Sequence, residues 1–115
     1  MASDCLFCRI VRGEIPAKIV QEWDEVVAFR DINPQAPVHV LLIPKRHIAN
    51  LDELKPAEAP LVAKLMLAAA ELARNEGIAA DGYRLVMNCN AAGGQTVFHL
   101  HAHLLGGRNL HWPPG

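Results

Sequence analysis

The chain contains 115 residues, of which 51% are hydrophobic and 20% are charged. This size and composition predict one folded globular domain over residues 1–115. Eleven basic and twelve acidic side chains give a formal charge of −1 with no basic block, which argues against binding nucleic acid through its phosphates. No apolar run approaches the roughly 20 residues of a membrane span, and no secretory signal is evident, so we expect a cytoplasmic protein with no membrane partner.

The apolar pattern predicts a mixed α+β fold. The predicted elements, in chain order, are a helix over residues 4–12, strands over 19–23, 26–29 and 38–43, a helix over 56–76, and strands over 83–88 and 97–105. Asp4 is the predicted N-cap of the first helix. Leu61, Leu65 and Leu72 form an apolar stripe on the second helix, which Gly77 ends. This order favours an antiparallel sheet of about five strands with both helices on one side.

Three histidines alternate with apolar residues near the end of the chain, at His99, His101 and His103. Because successive side chains of a strand point to opposite faces, the three imidazoles would line one face. Such a face could be merely exposed, could hold zinc, or could carry out chemistry on a substrate. The triplet alone leaves these alternatives open.

Two glycines precede the histidines in the sequence Gly93-Gly94-Gln95-Thr96. Glycine lets the backbone approach a ligand closely and turn its N–H groups toward an anion, and the Thr96 hydroxyl can add a donor. A Gly-Gly pair by itself is usually a hairpin turn. Beside three histidines, it indicates a cradle for phosphate oxygens.

Cys5 and Cys8 form a C-x-x-C pair, and Cys89 is the third cysteine. Such a pair can be redox-active, metal-binding or inert, and here it lacks the strand–helix context of a thioredoxin-like site. An odd number of cysteines in a reducing compartment argues against a disulfide framework.

The segment from Gly94 to Leu105 resembles the signature of the histidine-triad (HIT) family, in which three histidines alternate with apolar residues. Residues 15–18, 31–39 and 106–115 are similar to the corresponding segments of its Hint branch. The resemblance therefore covers nearly the whole chain. It implies a HIT-like fold and a homodimer in which the two sheets join, with the C-terminal tail, residues 106–115, contacting the partner subunit.

The resemblance also implies an activity, the hydrolysis of purine nucleoside 5′-phosphoramidates such as AMP joined to an amine. In that scheme His101 is the nucleophile and forms a covalent nucleotidyl-histidine, His103 contacts a phosphate oxygen, and His39 assists the proton relay. Imidazole suits the first role because it is largely uncharged near neutral pH, with an ordinary pKa of about 6.5, and can approach an anionic phosphate.

Several positions match the nucleotide site of the family. Asp31 matches the carboxylate that binds the ribose hydroxyls, and Trp112 matches a tryptophan that reaches the partner's active site. The apolar slot for the base would be formed by Leu6, Phe7, Ile10, Phe29 and Ile32. The phosphate side would be formed by Asn88, Gly94, Gln95 and Thr96.

The resemblance further implies a structural zinc ion, because several relatives bind zinc through two cysteines and two histidines. The matching residues are Cys5, Cys8, His47 and His99. A site closed by four protein ligands has no open position for water, so no catalytic metal is required. The alternative leaves the cysteines reduced and without metal.

Other functions stay open at this point. Within the same superfamily they are a dinucleoside polyphosphate hydrolase and a nucleotidyl transferase. A non-catalytic nucleotide-binding dimer and a metallohydrolase that uses the histidine triad as zinc ligands belong to different classes.

Overall fold

The structure, a computed structural model, describes residues 5–115 and contains one five-stranded antiparallel sheet, which confirms the predicted α+β class. Its elements are α1 (Leu6–Val11), β1 (Ile19–Glu22), β2 (Val26–Arg30), β3 (Val38–Pro44), α2 (Ala59–Asn75), β4 (Tyr83–Val86) and β5 (Ala102–Gly106), with short 3-10 helices at Leu51–Glu53, Pro56–Glu58 and Ala91–Gly93. The strand order is β1-β2-β3-β5-β4, so β3 and β5 lie side by side inside the sheet. Within the described residues, no helix has the length and apolar character needed to cross a membrane.

The two helices pack on opposite faces of the sheet, so the expectation that both lie on one side is wrong. In β2, Val26 and Ala28 belong to the core beneath α2, whereas Val27 and Phe29 belong to the core beneath α1. The physical reason is that β2 and β3 are apolar at successive positions. A strand that is apolar on both faces must be covered on both faces.

Helix α1 depends on its surroundings. Its N-cap is Cys5, whose Sγ accepts a hydrogen bond from the Cys8 N–H at 3.4 Å, and the predicted cap, Asp4, lies outside the described residues. The helix ends before Gly13, which has a φ of 76° and donates its N–H to the carbonyl of Ile10. A helix of six residues is not stable alone, so the burial of Phe7 and Cys8 must hold it in place.

Strand β5 is shorter than predicted. It begins at Ala102 rather than at residue 97, and the Leu100 N–H donates to the carbonyl of Ile48 at 2.6 Å instead of joining the ladder. The expectation that three histidines line one strand face is therefore wrong, since only His103 lies in β5. The other predicted strands and helix α2 agree with the structure to within three residues at each end.

We expect Gly106→Ala to destabilise the protein. A Cβ at Gly106 would lie 2.6 Å from Cδ1 and 3.0 Å from Cβ of Ile78. Overpacking of this kind costs roughly 1–3 kcal/mol of the free energy of unfolding, which urea titration measures. Because Ile78→Val removes Cδ1, the same substitution should cost less in the Ile78→Val background. An equal cost in both backgrounds would contradict this explanation.

Candidate active site and metal cluster

The main chain holds His101 in one orientation. Its Nδ1 donates to the carbonyl oxygen of His99 at 2.7 Å. The rings of Phe7 and His101 pack edge to face with their centroids 5.2 Å apart. His101 is buried. A neutral imidazole that carries its proton on Nδ1 has a lone pair on Nε2. The arrangement therefore fixes the direction of a nitrogen that can act as a nucleophile.

The half-buried His103 and the buried His39 form a pair beside His101. The rings of His101 and His103 have centroids 5.0 Å apart, and Nδ1 of His103 lies 2.9 Å from Nε2 of His39. The β3–β5 register brings them together, because His103 pairs with Leu41, and His39 lies two residues before Leu41 on the same face of β3. Asp31 completes the group, with Oδ2 3.3 Å from Nε2 of His39.

Burial keeps this histidine pair uncharged. Burial, together with the positive charges that His101 and His39 can carry, lowers the pKa of His103 to about 4, while Asp31 opposes the change. Burial likewise lowers the pKa of His39 against the opposing charge of Asp31. Near pH 7 the contact between His39 and Asp31 is therefore one between a neutral ring and a carboxylate, not an ion pair.

A second cluster contains Cys5, Cys8, His47 and His99, whose ligand atoms all lie within 4.8 Å of one another. The Sγ–Nδ1 distances are 3.4 Å for Cys5–His99, 3.4 Å for Cys8–His47 and 3.5 Å for Cys8–His99, and the two Nδ1 atoms are 3.3 Å apart. Tetrahedral zinc bonds of about 2.3 Å to sulfur and about 2.05 Å to nitrogen separate S from N by about 3.5 Å and N from N by about 3.3 Å. The four residues therefore fit a tetrahedral zinc ion.

The surroundings of His99 also suit a metal ligand. His99 is fully buried, and its Nε2 donates to the carbonyl oxygen of Pro44 at 2.8 Å. This bond leaves the lone pair of Nδ1 directed toward the cluster. Metal-binding histidines generally donate their other ring N–H to such an acceptor, which fixes the ring and its tautomer.

Asp31, His39 and His103 also place three ligand atoms within 4.8 Å, but their hydrogen bonds disfavour a metal ion. Nδ1 of His39 accepts the main-chain N–H of Gln35 at 3.0 Å. A metal bound at Nε2 would require a proton on Nδ1, and that proton would face the N–H of Gln35. Between these two clusters, the one with the cysteines is the candidate metal site.

A cavity of about 850 Å³ reaches His39, one member of the histidine pair. Five residues predicted for the nucleotide site line it, namely Leu6, Ile10, Phe29, Asp31 and Ile32. Phe7 does not line it. Its ring is buried and packs edge-on against Phe29 at 5.4 Å and against His101. The cavity is thus lined mainly by apolar residues, together with the Asp31 carboxylate, the His39 imidazole and two basic residues, Lys18 and Arg30.

Comparison with known proteins settles the family, since the HIT domain family matches residues 12–110 of the chain. The chain belongs to the HIT domain family. A relative from Escherichia coli K12 named purine nucleoside phosphoramidase is 49% identical over 110 residues, which are 96% of this chain and 92% of the relative. A crystal structure of a HIT family hydrolase from Legionella pneumophila superposes with a TM-score of 0.95 at 53% identity and covers 96% of this chain and 99% of that one. A zinc-bound HIT protein from Mycobacterium smegmatis superposes with a TM-score of 0.79 at 33% identity, covering 95% and 78% of the two chains.

In this HIT protein the side chain of Gln95 makes hydrogen bonds to main-chain groups of its own chain. Its Oε1 accepts the N–H of Asn90 at 2.8 Å, and its Nε2 donates to the carbonyls of Ala49 at 2.9 Å and Val97 at 3.0 Å. Gln95 is also buried. We therefore expect Gln95 to hold the loop in shape, whereas the resemblance had implied that it binds substrate.

The other residues predicted for the phosphate side lie on the same loop. Gly94 has a φ of 89°, and a Cβ there would lie 3.9 Å from Nδ2 of Asn88, so these two residues are neighbours. Thr96 is exposed. Trp112 is 83% exposed in the C-terminal segment and does not line the cavity of its own chain.

Sequence reasoning missed two of the main-chain groups of the site. The N–H of Gln35 and the carbonyl of Pro44 each fix one imidazole, yet every residue type except proline offers the same N–H and every residue offers the same carbonyl. Residues 15–18 also line the cavity. They carried the family resemblance, but nothing in their sequence indicated that they face a ligand.

We expect the protein to lose stability as the pH falls from about 6.5 to about 4, in part because of His103. Its pKa is near 6.5 in the unfolded chain and about 4 in the folded protein, so in this window the unfolded chain binds a proton that the folded protein does not. The free energy of unfolding must therefore fall as the pH falls through this window. Urea titrations at several pH values should show a weaker dependence for His103→Gln.

The exposed His111 provides the control. Substitution His111→Gln should leave the pH dependence as it is in the wild type. If His103→Gln and the wild type showed the same dependence, the assigned change in the pKa of His103 would be wrong.

Proposed function

We propose that the protein is a hydrolase that releases a nucleoside monophosphate from purine nucleoside 5′-phosphoramidates. The observation that carries the proposal is the hydrogen bond from Nδ1 of His101 to the carbonyl of His99, which leaves Nε2 available beside the neutral pair of His103 and His39. The name of the Escherichia coli relative, purine nucleoside phosphoramidase, supports this choice of substrate class.

In the proposed reaction the lone pair of His101 Nε2 attacks phosphorus, and the P–N bond to the leaving amine breaks. The amine departs with that bonding pair and takes up a proton, which His39 and His103 help to deliver. Water then attacks the phosphorus of the nucleotidyl-histidine and displaces the imidazole. A neutral histidine pair suits this scheme because a neutral ring can both donate and accept a proton.

The cavity would receive the nucleoside. Asp31 would accept hydrogen bonds from the ribose hydroxyls, and Leu6, Ile10 and Phe29 would contact the base. Burial of a planar base against such apolar side chains is favourable without demanding a particular pattern of hydrogen bonds. Phe7 would act indirectly, by packing between this wall and His101.

We further propose that the protein is a homodimer and acts in the cytoplasm. Strand β4 is an edge of the sheet, and its main-chain groups offer a second copy a place to pair. Trp112, exposed on the single chain, would then contact the partner near its site.

We also propose that Cys5, Cys8, His47 and His99 bind a structural zinc ion. The near-tetrahedral distances support this, and the zinc-bound relative from Mycobacterium smegmatis is consistent with it. When bound, the ion would join α1 to the segment that carries His99. The residues of the cluster would take no part in the chemistry at phosphorus.

A trapping experiment tests the covalent mechanism. After brief reaction with adenosine 5′-phosphoramidate labelled at phosphorus and rapid denaturation, the label should be found on His101. His101→Ala should lose the label and reduce kcat/KM at least about 10³-fold, because the nucleophile is absent. His111→Gln should retain the label. Turnover without any trapped label would indicate direct attack by water, and binding without turnover would indicate a nucleotide-binding protein.

Metal analysis tests the zinc site. The purified protein should contain one zinc ion per chain, and Cys8→Ser should lose it and lower Tm, since binding free energy of a structural metal contributes to stability. Cys89→Ser is the matched control and should keep the zinc, because Cys89 is outside the cluster. If Cys8→Ser and Cys89→Ser had the same zinc content and Tm, the site would be wrong.

A further inference from the structure

The main-chain N–H of Gln35 fixes the tautomer of His39. It donates to Nδ1 of His39 at 3.0 Å, and the His39 ring is buried. A nitrogen that accepts a hydrogen bond must offer a lone pair, so the proton of this neutral ring is on Nε2. A peptide N–H cannot reverse its role, unlike a hydroxyl or a water molecule. The tautomer is therefore set by the backbone.

This tautomer gives the histidine pair a direction. The Nε2–H of His39 lies 2.9 Å from Nδ1 of His103 and 3.3 Å from Oδ2 of Asp31. The shorter distance makes His103 the principal acceptor. Nδ1 of His103 must then be unprotonated, and the ring carries its proton on Nε2. The order of donation runs from Gln35 to His39 to His103.

The turn that carries Gln35 is fastened at several points. The N–H of Asn33 donates to Oδ1 of Asp31 at 2.8 Å, and Nε of Arg108 donates to the carbonyl of Gln35 at 3.0 Å. Gly107 is packed against Pro37 so closely that a Cβ would lie 2.9 Å from the proline Cβ. The segment after β5 thus holds the turn through Arg108 and Gly107.

We propose that Gln35 is a positioning residue that acts through its main-chain N–H, locking His39 in the Nε2–H tautomer and so directing the Nε2–H of His103 toward the phosphoryl group of the substrate. The role in turnover rests on the proposed function, whereas the tautomers do not. Arg108 contributes to this positioning because its hydrogen bond holds the carbonyl of Gln35. Neither residue carries a group that reacts.

The tautomers can be measured directly on the wild-type protein. With ¹⁵N-labelled histidine near pH 7, two-bond proton–nitrogen correlations distinguish a ring protonated on Nδ1 from one protonated on Nε2. We expect His39 and His103 both in the Nε2–H form and His101 in the Nδ1–H form. An Nδ1–H form of His39 would overturn the proposal. This readout is independent of any activity.

Two substitutions at one position test the consequence. Gln35→Pro removes the N–H, whereas Gln35→Ala removes the exposed side chain and keeps the N–H. We expect the Nε2–H form of His39 in Gln35→Ala and a mixture of forms in Gln35→Pro. The kcat of Gln35→Pro should be at least about tenfold below that of Gln35→Ala, with KM values within about twofold, because only the oriented proton donor is affected. Equal kcat values, or a lower kcat with the His39 tautomer unchanged, would overturn the proposal.

Arg108→Ala provides a second route should Gln35→Pro fail to fold. Loss of the guanidinium frees the carbonyl of Gln35, so the His39 signals should broaden or divide between the two forms and kcat should fall. Unchanged His39 signals together with unchanged kcat would show that Arg108 has no role in positioning Gln35. If His39 has the Nε2–H form but the wild type does not hydrolyse phosphoramidates, the lock is correct and the proposed function is wrong.

Discussion

The hydrogen bond between Nδ1 of His101 and the carbonyl of His99 is the interaction on which the rest of the site depends. Both residues precede β5 and lack the support of the strand ladder. The position of that carbonyl is instead fixed through the side chain of His99, which donates to Pro44 at the end of β3 and directs its other nitrogen into the cysteine cluster. One residue therefore belongs to the candidate active site through its backbone and to the cysteine cluster, the candidate metal site, through its ring.

Main-chain groups set the protonation pattern of the site. The carbonyls of His99 and Pro44 and the N–H of Gln35 come from three separate parts of the chain, and each determines which nitrogen of one imidazole carries the proton. Burial keeps His39 and His103 neutral, so that the pattern persists near pH 7. The tertiary structure thus controls the tautomers mainly through the main chain, with the Asp31 carboxylate as a charged side chain beside His39.

Local patterns predicted most of the fold. The apolar stripe of α2 and the β-branched residues of β3 have clear periodicity, and both elements lie where they were expected. The segment before β5 has an equally apolar pattern but is not a strand, because Leu100 and His99 find partners in the loop after β3 and in the cysteine cluster. The burial of Gln95 depends on a partner that is distant in sequence, the carbonyl of Ala49. Gln35 lies only four residues before His39, but the contact uses a main-chain N–H, which no pattern of side chains encodes.

The shortness of α1 has a thermodynamic consequence. Cys5 and Cys8, at its start, belong to the candidate metal site, whereas Leu6 and Ile10 form part of the cavity wall. A cation in the cluster and a nucleotide in the cavity would each order the same six residues. The ligand that binds second would therefore lose less conformational entropy than it would on the free protein. Linkage requires the effect to be mutual, so zinc would tighten nucleotide binding by the same factor by which nucleotide tightens zinc binding.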